Sequence, residues 1–427
     1  MDYDIIILGA GASGLMAAKE LSAKGTKVLV LEADNRTGGR IHTIHDKSFP
    51  FPIECGAEFI HGDLPITQSL LKEAAIPFQK AEDKTFNIQD GKWRRDDAFI
   101  DGWDEVMQRM KNLKEDITLA GFLDVYFKDD HYEGLRQSVK RFAEGFDLVN
   151  INTASTLSLR NEWEQENDSQ YRVTGGYSLL IEYLESKCKA QVCTIITSSP
   201  VKKISWKKNS VKVETSSGNV FKANKIVITI PIGILQASRD QEAFIEFSPG
   251  VERYINASRQ IGFGSVIKVF MLCENFFSEI LNEPAFILSN QFIPTWWLRV
   301  SDNKAFLTGW LGGPHAGRLS DKNEQEIQQY ALESLSGIFK IDQSSLKDKI
   351  QSFRYVNWSN SPLAAGAYSY NLIESDAARK ILKTPIQQTV FFAGEALYEG
   401  TAPGTVEAAL ANGKEVARKV LTDLQLT

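Results

Sequence analysis

The sequence predicts an α/β chain of two interleaved domains, a Rossmann-like dinucleotide-binding unit and a second domain of mixed sheet and helices. Three observations lead there. An apolar strand runs directly into a glycine turn in "IIILGAGASGL", residues 5–15. A second strand, "KVLVLEA", follows within thirty residues and ends in an acid. Elements of the same nucleotide type recur in the middle and near the end of the 427 residues, so the unit is assembled from separated segments.

The glycine turn has a mechanical reading. Gly9 allows a tight turn, Gly11 lets backbone approach a pyrophosphate, and Gly14 lets the next helix pack on the strand. Ala12 and Ser13 open that helix, whose free N–H groups and dipole favour a phosphate. Gly25 ends it. Glu32, with Ala33 after it, closes the second strand eighteen residues past Gly14, where a carboxylate can accept the ribose hydroxyls of an adenosine. On this evidence the dinucleotide is a nicotinamide or a flavin.

Bulk composition narrows the partners. The chain is 43% hydrophobic and 24% charged, as in an ordinary globular protein, and is long enough for two or three domains. A net charge of −6 leaves no basic footprint for nucleic acid. No apolar run of membrane-spanning length occurs, and a strand beginning at about Asp4 leaves no room for a signal peptide, so a cytoplasmic location and no membrane partner are expected. Cys55, Cys188, Cys193 and Cys273 lack CxxC spacing and suit a reducing compartment. The five histidines form no ligand pattern, and no metal is expected.

Along the chain, "PITQSLLKEAAI", "GWDEVMQRMKNL", "LRQSVKRFAEGF" and "GGYSLLIEYLESK" carry helical periodicity. Residues 200–230 then read as a meander with turns at Lys208-Asn209 and Ser217-Gly218-Asn219. "SVIKVFMLC", "AFILSN", "TWWLRVS" and "AFLTGWLGG" form a sheet, and "KNEQEIQQYALESLSGIF" a helix. "TVFFAGEAL" is a strand, and a last helix follows.

With these elements placed, the chain resembles the flavin-dependent amine oxidase family, which includes monoamine oxidases, polyamine oxidases and lysine-specific histone demethylases. "LEADNRTGGRIHT" is similar to the family's E-x3-R-x-G-G-R, with Glu32, Arg36, Gly38, Gly39 and Arg40 in place. "IECGAEFIHG" resembles the segment of polyamine oxidases that passes the flavin, through Gly56, Ala57 and Glu58. "VFFAGEA…GTVEAALANG" resembles the closing flavin motif, which implies that Gly394 and Glu395 face the ribityl or phosphate region. Thr405 and Val406 would face the pyrimidine edge, and Val201 the adenine. The resemblance resolves the dinucleotide to FAD. It is non-covalent, because Ala367 stands where monoamine oxidases carry the flavin on a cysteine. The implied architecture is that of p-hydroxybenzoate hydroxylase and the amine oxidases. FAD-binding segments are expected at 1–78, 192–258 and 385–427, and a substrate domain at 79–191 and 259–384, of which 79–191 is helical.

Lys268 is a lone cation in an apolar strand, on one face with Val266, Phe270 and Leu272. Read alone it is an edge lysine that blocks aggregation; the resemblance implies instead a catalytic lysine that holds a water against the flavin. Tyr368 matches an aromatic wall of the amine slot, and Trp358 a tryptophan packed near the flavin. Glu58 is the candidate anchor for a distal ammonium, and His61 matches the histidine of animal-type polyamine oxidases. Trp296, Trp297 and Trp310 are pocket or core residues. Monoamine oxidases have a second aromatic where this chain has Thr405, which implies a half-open slot. The expected reaction is oxidation of a polyamine-like or secondary amine to an imine by hydride transfer to the flavin, with O2 reduced to hydrogen peroxide.

Overall fold

A computed structural model of the chain describes residues 2–424 apart from 82, 90, 96–99, 166–168, 275–280 and 282. The opening strand, Tyr3–Leu8, pairs in parallel with Val28–Leu31 on one side and Val220–Ile228 on the other. Cys193–Ile196 extends the sheet beyond Val28–Leu31, and Val390–Phe392 pairs with the end of Val220–Ile228. Strands buried on both faces read as continuous apolar runs, as "IIIL" and "VLVL" do here. Alternation divides them. Ile5, Ile7, Val28 and Val30 face the helices Ala12–Ser22, Ser178–Lys189 and Val406–Asp423. Ile6, Leu8, Leu29 and Leu31 join the opposite core, with Val201 and Ile204 of the meander and Ala378 and Leu382 of the helix Ser375–Leu382.

The two glycine-dependent contacts in this layer are tight. A Cβ on Gly14 would lie 2.0 Å from the Gly9 carbonyl oxygen, and one on Gly413 would lie 2.3 Å from the Ser13 carbonyl oxygen. The first helix therefore sits against the end of its strand on one side and against the last helix on the other.

A second, seven-stranded sheet runs in the order Ile350–Asn357, Val266–Glu274, Lys304–Gly312, Thr295–Ser301, Ala285–Ser289, Lys84–Gln89, Lys92–Arg95. Ile267, Val269 and Met271 turn to the helix Glu324–Phe339, which starts in a capping box of Asn323 and Glu326. Phe270 and Leu272 turn the other way, onto Phe49, Ile53 and Cys55. Four helices between 103 and 163 form a small core of their own around Val106, Phe122, Val139 and Trp163.

Segment 79–191 departs from the helical expectation at its start. Lys84–Gln89 and Lys92–Arg95 are an antiparallel pair that extends the second sheet. The alternation in "KTFNIQ" and the Asp-Gly pair after it are a hairpin signal. At the other end, Leu180, Ile181, Leu184 and Cys188 of Ser178–Lys189 bury in the nucleotide-side core with Ile5 and Val28. That helix thus packs in the nucleotide-side core although it precedes the boundary expected at 191/192.

Gly14→Ala places a methyl inside the van der Waals radius of a backbone oxygen that cannot move without opening the turn. A loss of about 3 kcal/mol or more, as for severe overpacking, is expected in denaturant unfolding. Gly25→Ala meets no atom within 4 Å and bears only the strain of φ +78°, so it should cost about 1 kcal/mol.

Candidate active site

One continuous cavity of about 2620 Å³ is lined by the glycine turn and by Lys268 alike. It exceeds ordinary small-molecule pockets of roughly 300–1,000 Å³, as a site for a dinucleotide plus a substrate must. Of the residues assigned to cofactor or substrate from sequence, all but Gly14 line it. Gly14 serves packing instead.

At the nucleotide end, Gly9 takes φ +103°, the tight turn. A Cβ on Gly11 would come no nearer than 4.0 Å to protein, at the Gly38 carbonyl oxygen, so the space beside it is open. Ser13 Oγ, buried at the helix N-terminus, has no hydrogen-bond partner among the described residues. An open glycine, an orphaned hydroxyl and free N–H groups at a helix start form a cradle that fits a phosphate. Glu32 closes the turn: its two oxygens accept from the Ala10 N–H (2.6 Å) and the Asp34 N–H (2.9 Å). Burial pushes its carboxyl upward against the pull of these hydrogen bonds. The Gly38 N–H donates to the Ala10 carbonyl (2.8 Å), which joins the second glycine turn to the first.

The charged residues of the second turn are already engaged. Arg36 donates to the carbonyls of Thr37, Gly39 and Ile41 and braces that turn. Arg40 Nη1 donates to the Ala367 carbonyl (2.6 Å) and to Glu395 Oε1 (2.8 Å), while Glu395 Oε2 accepts from Ser369 Oγ. The Gly394 N–H donates to Asn412 Oδ1. Gly56 lies under Arg40, where a Cβ would sit 1.8 Å from the Arg40 carbonyl oxygen, and the Ala57 N–H donates to that oxygen. Trp358 Nε1 donates to the Cys55 carbonyl (2.8 Å), which fixes the indole in the cavity wall.

The edge-strand reading of Lys268 does not survive the pairing. Its strand is flanked on both sides, Lys268 opposite Val356 and opposite Trp310, and the residue is 1% exposed. Nζ donates to the carbonyls of Glu54 (2.6 Å) and Gly56 (3.2 Å) and to Glu58 Oε2 (3.1 Å). The Trp297 ring lies 5.3 Å from the ammonium and the Trp310 ring 6.0 Å. Trp297 Nε1 donates to Glu58 Oε1 and Trp310 Nε1 to the Gly145 carbonyl. Trp296, the neighbour on the other face, is fully buried in the core behind the sheet.

One substrate assignment changes, and another residue gains a structural role. Glu58 is not a free carboxylate awaiting an ammonium, because Lys268, Trp297 and Arg172 already occupy its oxygens. The Thr405 hydroxyl donates to the Ala402 carbonyl (2.6 Å) and accepts from the Ala408 N–H (3.2 Å), so it caps the last helix and its proton is already committed. Tyr368 is held by its hydroxyl, which donates to the Phe146 carbonyl, and its ring stands against Gly404. Sequence reasoning missed Arg172, Asp83 and Glu162. Glu162, in the cavity wall, is pushed to about 7 by burial, against the pull of Arg379 and a hydrogen bond from Asn371. No local pattern marks any of the three.

His61 packs between Phe59 and Phe146 in the same wall, and desolvation draws its imidazole down to about 4. A folded value below the unfolded one means that neutral His61 is compatible with the fold above pH 6.5 and opposes it as pH falls toward 4. His61→Gln should therefore lose less stability than the wild type between pH 7.5 and 4.5, by on the order of 2 kcal/mol in urea unfolding of the apoprotein.

Comparisons with known proteins identify the family. A family model described as flavin containing amine oxidoreductase matches residues 12–421. Lysine-specific histone demethylase 1 homolog 2 of Oryza sativa subsp. japonica is 27% identical over 445 residues, 98% of this chain but 57% of that protein. Lysine-specific histone demethylase 2 of Homo sapiens is 27% identical over 97% of this chain and 53% of its own length. The chain thus spans about half the length of these relatives. It spans 89% of polyamine oxidase 4 of Oryza sativa subsp. japonica, with 25% identity over 467 residues and 98% of this chain covered. Putrescine oxidase bound to putrescine superposes with a TM-score of 0.81 at 18% identity, covering 99% of each chain. Cyclohexylamine oxidase from Brevibacterium oxydans superposes at 0.81 and 19% identity over 100% of each chain, so the three share a fold. The chain belongs to the family of flavin-containing amine oxidoreductases, and its cofactor is FAD.

Proposed function

We propose that this chain binds FAD without a covalent link and oxidises a polyamine-like or secondary amine to an imine, with O2 as electron acceptor and hydrogen peroxide as product. The observation that carries the reading is that Lys268 and the glycine turn line one cavity. When bound, the flavin supplies the hydride acceptor and passes the electrons on to O2.

Each residue then has a task set by its position. Gly11 and Ser13 receive the pyrophosphate at the helix N-terminus, Glu32 the ribose, and Val201 the adenine. Arg40, paired with Glu395, brings positive charge to the phosphates without leaving a net buried cation. Lys268 keeps its hydrogen bonds to the Glu54 carbonyl and to Glu58; exchange of the longest one, 3.2 Å to the Gly56 carbonyl, lets Nζ hold a water in the cavity. Trp297, Trp310 and Tyr368 exclude bulk water and present aromatic faces that retain an amine through its charge. The small side chain of Thr405 leaves the slot open opposite Tyr368, which suits long or branched amines. Arg172 is 2.7 Å from Asp83 and 3.5 Å from Glu58, so it offers no clamp to the carboxylate of an amino acid. The four unpaired cysteines suit a reducing cytoplasm.

The cofactor reading is tested without turnover. Acid treatment should release all flavin as free FAD, and flavin left on peptide would refute the non-covalent link. Gly11→Val, whose Cβ comes no nearer than 4.0 Å to the Gly38 carbonyl oxygen, should fold with an unchanged circular dichroism spectrum and no yellow colour.

The substrate reading is tested by anaerobic stopped-flow over polyamines, N-methylated lysine peptides, benzylamine and amino acids. Secondary and polyamine-like substrates should reduce the flavin with the highest kcat/KM, and a preference for benzylamine would sink the half-open slot. Lys268→Met should keep FAD but slow reduction, reoxidation or both by about tenfold or more, as expected when a group at the reacting centre is lost; unchanged half-reactions would remove Lys268 from the chemistry.

A further inference from the structure

Behind the lysine lies a chain of alternating charges that the proposed reaction does not use. From Lys268 it passes to Glu58 at 3.1 Å, to Arg172 Nε at 3.5 Å, and from Arg172 Nη2 to Asp83 at 2.7 Å. All four are withdrawn from water: side-chain exposure is 1% at Lys268, 8% at Glu58, 14% at Arg172 and 3% at Asp83. The guanidinium stacks 4.5 Å over the Phe59 ring. Its backbone is equally constrained, because Arg172 occupies the middle strand of a three-stranded sheet, opposite Phe59 on one side and Gln79 on the other. Glu54 and Arg299 are the other charges whose fields reach this group.

Geometry makes Glu58 the joint. One carboxylate oxygen takes Lys268; the other takes the Trp297 indole and faces Arg172. With Arg172 gone, the buried carboxylate keeps Lys268 as its ion-pair partner in contact and turns toward it, away from Trp297. Breaking one member of a buried charge network leaves the next member uncompensated, so the effect travels along the chain.

We propose that Arg172, braced by Asp83, is a positioning residue that holds the Glu58 carboxylate between Trp297 and Lys268 and thereby fixes the lysine ammonium in the cavity wall. The proposal rests on the reading of Lys268 as the catalytic lysine, and it assigns Glu58 to the lysine rather than to the substrate. Arg172 touches neither substrate nor flavin in this scheme; it acts through Glu58.

Action through one intermediate has a distinctive signature, which is non-additivity. Wild type, Glu58→Gln, Arg172→Met, Arg172→Lys and the Glu58→Gln/Arg172→Met double variant are compared as FAD-loaded proteins. Three quantities are read: flavin content, the flavin reduction potential and the anaerobic rate of reduction by spermidine. Arg172→Met should keep its flavin, shift the potential and lower the limiting rate by about tenfold, while Arg172→Lys recovers to within about threefold of wild type. In the Glu58→Gln background, Arg172→Met should change the rate by less than about twofold and leave the potential at the value of the single Glu58→Gln variant, since the group it positions is already gone. Additive losses overturn the proposal. So does an Arg172→Met protein with lowered Tm but unchanged rate and potential. The potential is measured with a chemical reductant and needs no amine, so a protein inert to every amine would fail the proposed function while the potentials still decide the role of Arg172.

Discussion

The ammonium of Lys268 is buried against three oxygens of a single short segment, the carbonyls of Glu54 and Gly56 and the carboxylate of Glu58. Much else depends on that arrangement. A buried cation is tolerated only when paired and hydrogen-bonded, so a strand of the second sheet is tied to the stretch that follows the cofactor turns. The same stretch is tied to the first sheet by Gly56, which lies close on the Arg40 carbonyl, and by the Ala57 N–H bonded to that oxygen. One segment thus joins the dinucleotide cradle to the aromatic wall, and the cavity is the space between them.

The nucleotide half was legible because its signals are local. Gly9, Gly11 and Gly14 each do a different thing within six residues, and the structure separates them: a positive φ, an open flank and a contact no Cβ could enter. The apolar runs around Ile6 and Leu29 were readable as doubly covered strands from composition alone. The segment around Lys84–Gln89 was open to the same reasoning, since alternation followed by Asp-Gly is a local signal, and the helical periodicity of the flanking region masked it. The helix Ser178–Lys189 is different. Its periodicity says that it has an apolar face, and nothing in its own residues says which of two cores that face meets.

Side-chain partnerships were legible only where a strand's register could be inferred. Trp296 and Trp297 show how much one residue matters: a pleat sends the first into the core behind the sheet and the second into the cavity. Lys268 shows the limit. Alternation placed it correctly with Phe270 and Leu272, but whether its strand was an edge depended on pairing with Lys304–Gly312 and Ile350–Asn357, which lie far along the chain. Glu58, Arg172 and Asp83 come from three separate segments, and a carboxylate in "GAEFIHG" carries no mark of whether a cation already faces it.

The shape of the cavity beside Tyr368 follows from small residues as much as from aromatic ones. Gly404 holds φ +68°, and a Cβ there would meet the Tyr368 ring at 3.0 Å, so the loop before the last helix can lie against the tyrosine only because the side chain is missing. The same loop must start a helix whose first N–H groups need partners, and Thr405 supplies one through its hydroxyl. A ring at position 405 could not do that. A small polar residue at 405 is therefore a capping requirement: its hydroxyl is turned toward the backbone that begins the last helix.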